Sequence, residues 1–422
     1  MVRIVRLFSA ALLAAAAPAA AQTVAITNAK LYTGTGTVID GGTVVFRDGR
    51  ITAVGAVGVP AGARVIDAAG KVVTPGFLDS STQVGVVEIG QYEETRDEAT
   101  ADDRITAAFN VADGINPRST LIPVTRVEGI TRVVVAPGSG SSLIAGQGVL
   151  MDLSGDPLSV TLHRNPVAMF AVLGETGAAL AGGARSAALL RLREALQDAR
   201  DYLANREAFE TNRRRDYAIS RLDLEALAPL VRGELPLAVR ADRASDLLAA
   251  ARFAQESGVR IVLLGAAEGW MVAGELARAG VAVVINPMQN LPGFDNLGAT
   301  LENAARLHAA GVTVAFATFD AHNSRNLKQA AGNAVAYGMP WEAALRAVTA
   351  TPARIWGVAD RFGTIEVGKD ADLVVWSGDP FELSTAVEHV FIRGREMPKD
   401  NRQRELFQRY RAREALPQAY DH

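Results

Sequence analysis

From Lys71 onward, short runs of apolar and β-branched residues recur with little polar interruption: KVVTPGFLD (71–79), TRVVVAPG (131–138), PLAVRAD (236–242), VRIVLLG (259–265), VAVVINP (281–287) and VTVAFATFD (312–320). A strand that is apolar on both faces must be covered on both sides, a condition met by parallel sheets flanked by helices. The stretches between the later runs have helical spacing of apolar residues. One spans 244–257 before Gly258 and the next spans 269–279 before Gly280, each with glycine as its stop. Strands alternating with amphipathic helices predict an α/β chain. At 422 residues the closed form predicted is a (β/α)8 TIM-type barrel.

The barrel pattern is preceded and followed by a different rhythm. Residues 23–70 alternate β-like runs with glycine turns, and Asp48-Gly49 between two such runs predicts a hairpin. β-like runs return in GTIEV, DADLVVWSG and VEHVFIRG after a helical stretch from Trp341. The predicted division is a small β unit shared by 22–72 and 361–398, a barrel over 73–360, and a charged tail over 399–422. Residues 187–231 read as charged helices, with the polar run Asn212 to Asp216 as a solvated loop.

Residues 1–21 carry Arg3 and Arg6, an Ala-rich apolar run from Leu7 to Ala17, and Ala19-Ala20-Ala21 before Gln22. That is the pattern of a cleaved secretion signal, too short and too rich in alanine for a membrane anchor, and it predicts export to the periplasm. The net charge of −3 gives no reason to expect nucleic acid or an anionic membrane as a partner. There is no cysteine, so neither disulfides nor a thiolate zinc site is available. Of the five histidines, His163, His308 and His389 fall outside the predicted strand ends.

Two flanking motifs carry a family resemblance. Val73-Thr74-Pro75-Gly76-Phe77-Leu78-Asp79 leads out of the N-terminal β unit. Ala350-Thr351-Pro352-Ala353-Arg354 is followed by Gly363-Thr364-Ile365-Glu366-Val367-Gly368-Lys369-Asp370-Ala371-Asp372-Leu373. Together they resemble the amidohydrolase superfamily, in particular its exported branch similar to imidazolonepropionases and metal-dependent prolidases. The resemblance implies a metal-bearing barrel joined to a β-sandwich made from both chain ends. It also implies hydrolysis of a C–N bond in a small amide, cyclic amide or dipeptide. The family's metal ligands are a His-x-His after strand 1, a Lys or Glu on strand 4, histidines on strands 5 and 6, and an Asp after strand 8. Here Ser81 and Gln83 stand at the first pair, Arg240 at strand 5 and Gly265 at or near strand 6, while Asp320 matches the last.

A catalytic zinc needs about three converging protein donors, and these positions do not supply them. No resident cofactor is therefore expected, a divalent metal such as zinc being implied by the resemblance alone. If a metal is held, Asp320, Asp242 and Glu268 are the oxygen donors that the barrel's open face offers. Without metal, Asp320 and His322 are the candidate base and proton shuttle. Arg240 is expected to pair with Asp320, taking over the lost metal charge. Gln83, Glu88, Gln147, Arg240, Asp242, Arg243, Asn323 and Arg325 are the candidate substrate-binding residues. The glycine-rich Pro137–Ser142 loop lacks the ending of a phosphate loop and reads as a flap over the mouth.

Two functions stay open: a hydrolase of C–N bonds working through an altered, metal-poor site, and a non-catalytic binding or assembly subunit. Both take a small molecule. The second predicts a homo- or hetero-oligomer with an amidohydrolase relative.

Overall fold

Five strands open the chain in the computed structural model, which describes residues 22–213 and 215–411. They are β1 (Val24–Tyr32), β2 (Val38–Arg47), β3 (Arg50–Gly55), β4 (Arg64–Asp67) and β5 (Val72–Pro75). β2 and β3 form the hairpin, antiparallel across the Asp48-Gly49 turn. The expected secretion signal lies outside the described residues.

The apolar runs form the next sheet, β6 (Phe77–Thr82), β7 (Ile130–Val135), β8 (Ile144–Asp152), β9 (Leu162–Val172), β10 (Leu237–Ala241), β11 (Ile261–Gly265), β12 (Ala282–Ile285) and β13 (Val314–Phe316), each beside its sequence neighbour. The ends of the sheet approach each other where Phe319 N–H donates to the Ser81 carbonyl at 3.0 Å and Thr318 N–H donates to Asp79 at 3.2 Å. The result is a nearly closed eight-stranded barrel.

Why these runs are apolar throughout is visible in their side-chain alternation. On β10, Ala238 belongs to the barrel interior, while Leu237, Val239 and Ala241 face the surrounding helices. Val262 and Leu264 on β11, Val284 on β12, and Ala315 on β13 likewise point inward, their neighbours outward. Both faces of each strand are dry, so period-2 polarity is absent.

One strand departs from the all-parallel pattern: β8 runs antiparallel to both β7 and β9. Only residues 136–143 separate β7 from β8, and a parallel crossover needs about a dozen residues or more. The short connection leaves reversal as the available geometry. The helix Ala244–Ser257 has the predicted ends, with Gly258 in the left-handed conformation at φ 67°. The stretch 269–279 divides into a 3-10 turn, Gly269–Val272, and a short helix, Ala273–Arg278.

After the barrel, β14 (Leu373–Trp376), β15 (Val387–Ile392) and β16 (Arg395–Glu396) return to the first sheet, which runs in the order β16-β15-β14-β5-β1-β2-β3 with β4 on β1. A buried charge cluster ties this sheet to the barrel. Arg132 on β7 is 1% exposed, pairs with Asp370 at 3.1 Å and with Asp372, and lies 3.8 Å from the Phe362 ring centroid. The helix Arg402–Arg411 ends the described chain. Among the described residues no helix is long and apolar enough to cross a membrane.

Candidate functional site

A parallel barrel places its variable loops at the C-terminal ends of the strands. There the structure has a cavity of about 350 Å³. Ser81 and Gln83 reach it from the end of β6, Phe170 and Leu173 from β9, Arg240 and Asp242 from β10, and Phe319 from beyond β13. Pro137 to Ser139 line it too, so the glycine-rich loop begins at the mouth. Among the described residues, neither the Ser81 hydroxyl nor the Gln83 amide takes a hydrogen-bond partner.

Arg240 is the cation of this cavity. Inward alternation along β10 carries it into the mouth, two residues beyond Ala238. Its guanidinium lies over the Phe319 ring, 4.5 Å from the centroid, an arrangement in which the ring face attracts the cation. Phe319 is held at φ 54°, a strained backbone for a bulky residue. The carboxylate beside Arg240 is Asp242, at 3.6 Å, and not Asp320 as the sequence pattern suggested. The reason is local: Asp242 follows two residues later at the same strand end, while the Asp320 carboxylate is taken by the Asn323 N–H at 2.8 Å and its Nδ2 at 3.1 Å. Asp242 also accepts from Ala267 N–H at 3.2 Å. Burial holds its carboxyl above the ordinary aspartate range, opposed by Arg240, while the nearby Asp295 charge pushes it further up.

Gly265 explains why strand 6 offers no side chain. A Cβ built there would stand 2.5 Å from Asp242 Oδ1 and 3.1 Å from Arg240 Nε, and its φ is 90°. The Arg240–Asp242 pair fills the space into which a ligand from β11 would project.

Beneath the mouth lies a closed polar knot that the sequence reading missed. Asp79, fully buried, accepts from Ser81 N–H at 3.1 Å, Thr318 N–H at 3.2 Å, the Thr318 hydroxyl at 2.5 Å and the Ser324 hydroxyl at 2.8 Å. Burial raises its pKa to about 6 against the pull of these donors. The signal was present: an aspartate inside a run read as a buried strand has to be satisfied by partners. No comparable signal marks Phe319 or Asp295 as mouth residues. Asp295 is fixed there by Arg185 at 2.5 Å and Glu175 N–H at 2.6 Å.

Of the candidate binding residues, Gln83, Arg240 and Asp242 line the cavity, and the others lie elsewhere. Glu88 accepts from Asn116 Nδ2 at 3.2 Å, Gln147 donates to the Ala107 carbonyl at 3.1 Å, and Arg243 is an exposed residue capping the helix 244–257. Arg325 lines a different cavity. His322 is exposed, its Nε2 accepting from Gly90 N–H at 3.4 Å. Glu268 is consumed by two backbone donors, Ala244 N–H and Gly298 N–H, each at 2.9 Å.

Comparison with known proteins fits this architecture. The amidohydrolase family model matches residues 239–397. An amidohydrolase structure from Thermotoga maritima MSB8 superposes with a TM-score of 0.81 at 28% identity, covering 89% of this chain and all of that one. Over residues 239–397 the chain matches the amidohydrolase family, and its fold is that of an amidohydrolase barrel. Amidohydrolase tasK of Hapsidospora irregularis is 25% identical over 370 residues, covering 80% of this chain and 37% of that protein. A 5-methylthioadenosine/S-adenosylhomocysteine deaminase of Desulforudis audaxviator (strain MP104C) is 38% identical over 112 residues, 24% of this chain and 25% of its own length. The chain thus spans well under half the length of either relative.

The superfamily's usual metal can be tested against this site. Among the described residues no group of three or more His, Cys, Asp or Glu side chains is placed to hold a metal ion. At the mouth the donors are hydroxyls, an amide and two carboxylates, Asp242 beside the Arg240 guanidinium and Asp295 paired with Arg185. This set does not fit a catalytic zinc, because a permanent cation opposes a divalent one next to it.

Proposed function

We propose that the chain hydrolyses a C–N bond in a small amide, cyclic amide or dipeptide at the barrel mouth, through a site in which Arg240 stands in for metal. The observation that carries this reading is the Arg240 guanidinium itself. It is held on Phe319, has Asp242 beside it, and faces a cavity floored by the unpartnered Ser81 and Gln83 side chains. In the proposed step a water oxygen attacks the substrate carbonyl carbon while its proton passes to the Asp242 carboxylate. The Arg240 N–H groups donate to the oxyanion that develops, as fixed donors do in other acyl transfers. Asp242 then returns the proton to the leaving nitrogen as the C–N bond breaks, giving an acid and an amine. A carboxyl whose pKa is raised by burial takes up and returns a proton more readily than an ordinary aspartate.

The test is amine release from a panel of dipeptides and cyclic amides, followed by mass spectrometry with and without a chelator. The expected outcome is turnover indifferent to chelation and lowered at least about 100-fold in Arg240→Met, the loss typical of an oxyanion donor. Turnover abolished by the chelator would overturn it.

A second reading is favoured by the packing at Gly265, where the Arg240–Asp242 pair closes the strand-6 position. In that reading the barrel is a binding or assembly subunit that works beside an intact relative. Absence of product across the panel, with ligand still bound, would select it. Export to the periplasm belongs to either reading and rests on residues 1–21.

A further inference from the structure

A second cavity, of about 450 Å³, shares no lining residue with the mouth. It lies where the helix Leu121–Arg126, the start of the helix Leu327–Ala336, strand β15 and the C-terminal helix Arg402–Arg411 meet. Its walls carry five cations, Arg126, Arg325, Lys328, Lys399 and Arg404, against a single carboxylate, Glu128. Glu128 is already paired with Lys328 at 2.9 Å.

Arg126 is the unusual member. It is 5% exposed, yet among the described residues no carboxylate is paired with it. Its Nη1 donates to the Leu153 and Ser154 carbonyls, both at 3.0 Å, and its Nε has no partner. Asp156 is near enough to act on it but is itself paired with Arg393 and Arg395, both at 2.8 Å, and a buried donor lacking an acceptor adds to the cost of burying the charge. Arg325, Lys399 and Arg404 likewise have no carboxylate partner among the described residues. The remaining wall is apolar, supplied in part by Val387, Met397 and the largely exposed Phe407.

The geometry points to a binding site for a small amphiphilic carboxylate, its head among Arg126, Arg325 and Arg404 and its apolar body against Val387, Met397 and Phe407. A guanidinium matches a carboxylate edge with two donors, which a lysine cannot do. The cavity has the size expected of a small-molecule pocket.

Isothermal titration of the full chain with sodium octanoate tests this, with acetate and 1-octanol as the head and the chain alone. Saturable one-site binding of octanoate is expected, with acetate and octanol each weaker by about ten-fold or more, because each lacks one half of the recognition. Since Arg126→Met removes a buried group and puts folding at risk, the deciding variant is Lys399→Glu/Arg404→Glu, at two exposed positions. It should weaken octanoate by about ten-fold or more with an unchanged circular dichroism spectrum. Arg240→Met should leave octanoate affinity as it was, which separates this site from the mouth. Four results would each overturn the proposal: no saturable heat with millimolar octanoate, octanol binding as tightly, affinity untouched in the double variant, or affinity lost in Arg240→Met.

Discussion

Replacing Asp79 with asparagine should stabilise this protein at neutral pH and leave it unchanged in acid. Asp79 is fully buried, and its pKa of about 6 stands above the ordinary 3.8. A raised folded-state pKa means that the folded chain holds the proton longer than the unfolded chain. The stability contributed by the protonated group is therefore complete below about pH 3.8 and is lost as pH rises through about 6. The gap between 3.8 and about 6, at about 1.36 kcal/mol per pH unit, amounts to about 3 kcal/mol. Asparagine removes that penalty without orphaning its neighbours. Its Oδ1 still accepts from Ser81 and Thr318 N–H. Its Nδ2 donates to the Thr318 and Ser324 oxygens, whose hydroxyls turn toward the Asp320 carbonyl and Thr82 Oγ1, at 3.5 and 3.1 Å. Urea unfolding followed by tryptophan fluorescence from pH 4 to 8 should show Asp79→Asn and the parent unfolding together at pH 4. By pH 7 they should separate by up to about 3 kcal/mol. A difference that stays flat across this range, or a variant less stable throughout, would refute the reasoning. It would mean that the four donors keep Asp79 ionised.

Gly265→Ala should lower stability by about 1–3 kcal/mol and disturb the mouth, since its Cβ meets Asp242 Oδ1 at 2.5 Å on a backbone at φ 90°; equal denaturation midpoints would contradict this. Arg132→Met should destabilise by about 3–5 kcal/mol because it leaves the buried Asp372 without its ion-pair partner, Asp370 keeping Arg361 at 3.0 Å and Arg50 at 3.4 Å, and the loss should shrink when Asp372→Asn is combined with it. Mass spectrometry of protein recovered from the periplasm should give an N-terminus near Gln22, and an intact Met1 would rule out cleavage.

Much of the fold was legible because it is written locally. The helix Ala244–Ser257 follows from apolar spacing and the glycine after it, and the β2–β3 hairpin from its Asp-Gly turn. The barrel follows from strands that are apolar on both faces. Ser81, Gln83 and Arg240, which line the mouth, could likewise be located by counting from the motifs. The reach of such reading stops at partners. Arg240 was expected to meet Asp320 and instead stands beside Asp242, because a side chain pairs with whatever the fold brings near, and Asn323 had already taken Asp320.

By itself the sequence determined the alternation of strands and helices, the flanking family motifs and which residue types stand at Ser81, Gln83 and Arg240, since each depends on residue type and short-range spacing. Only the tertiary structure decided that β8 turns back, that Gly265 is closed by the Arg240–Asp242 pair, and that Asp79 is knotted to Thr318 and Ser324 some 240 residues away. Burial and partnership are properties of positions in space, and closing the barrel brings together residues whose separation along the chain carries no trace of the contact.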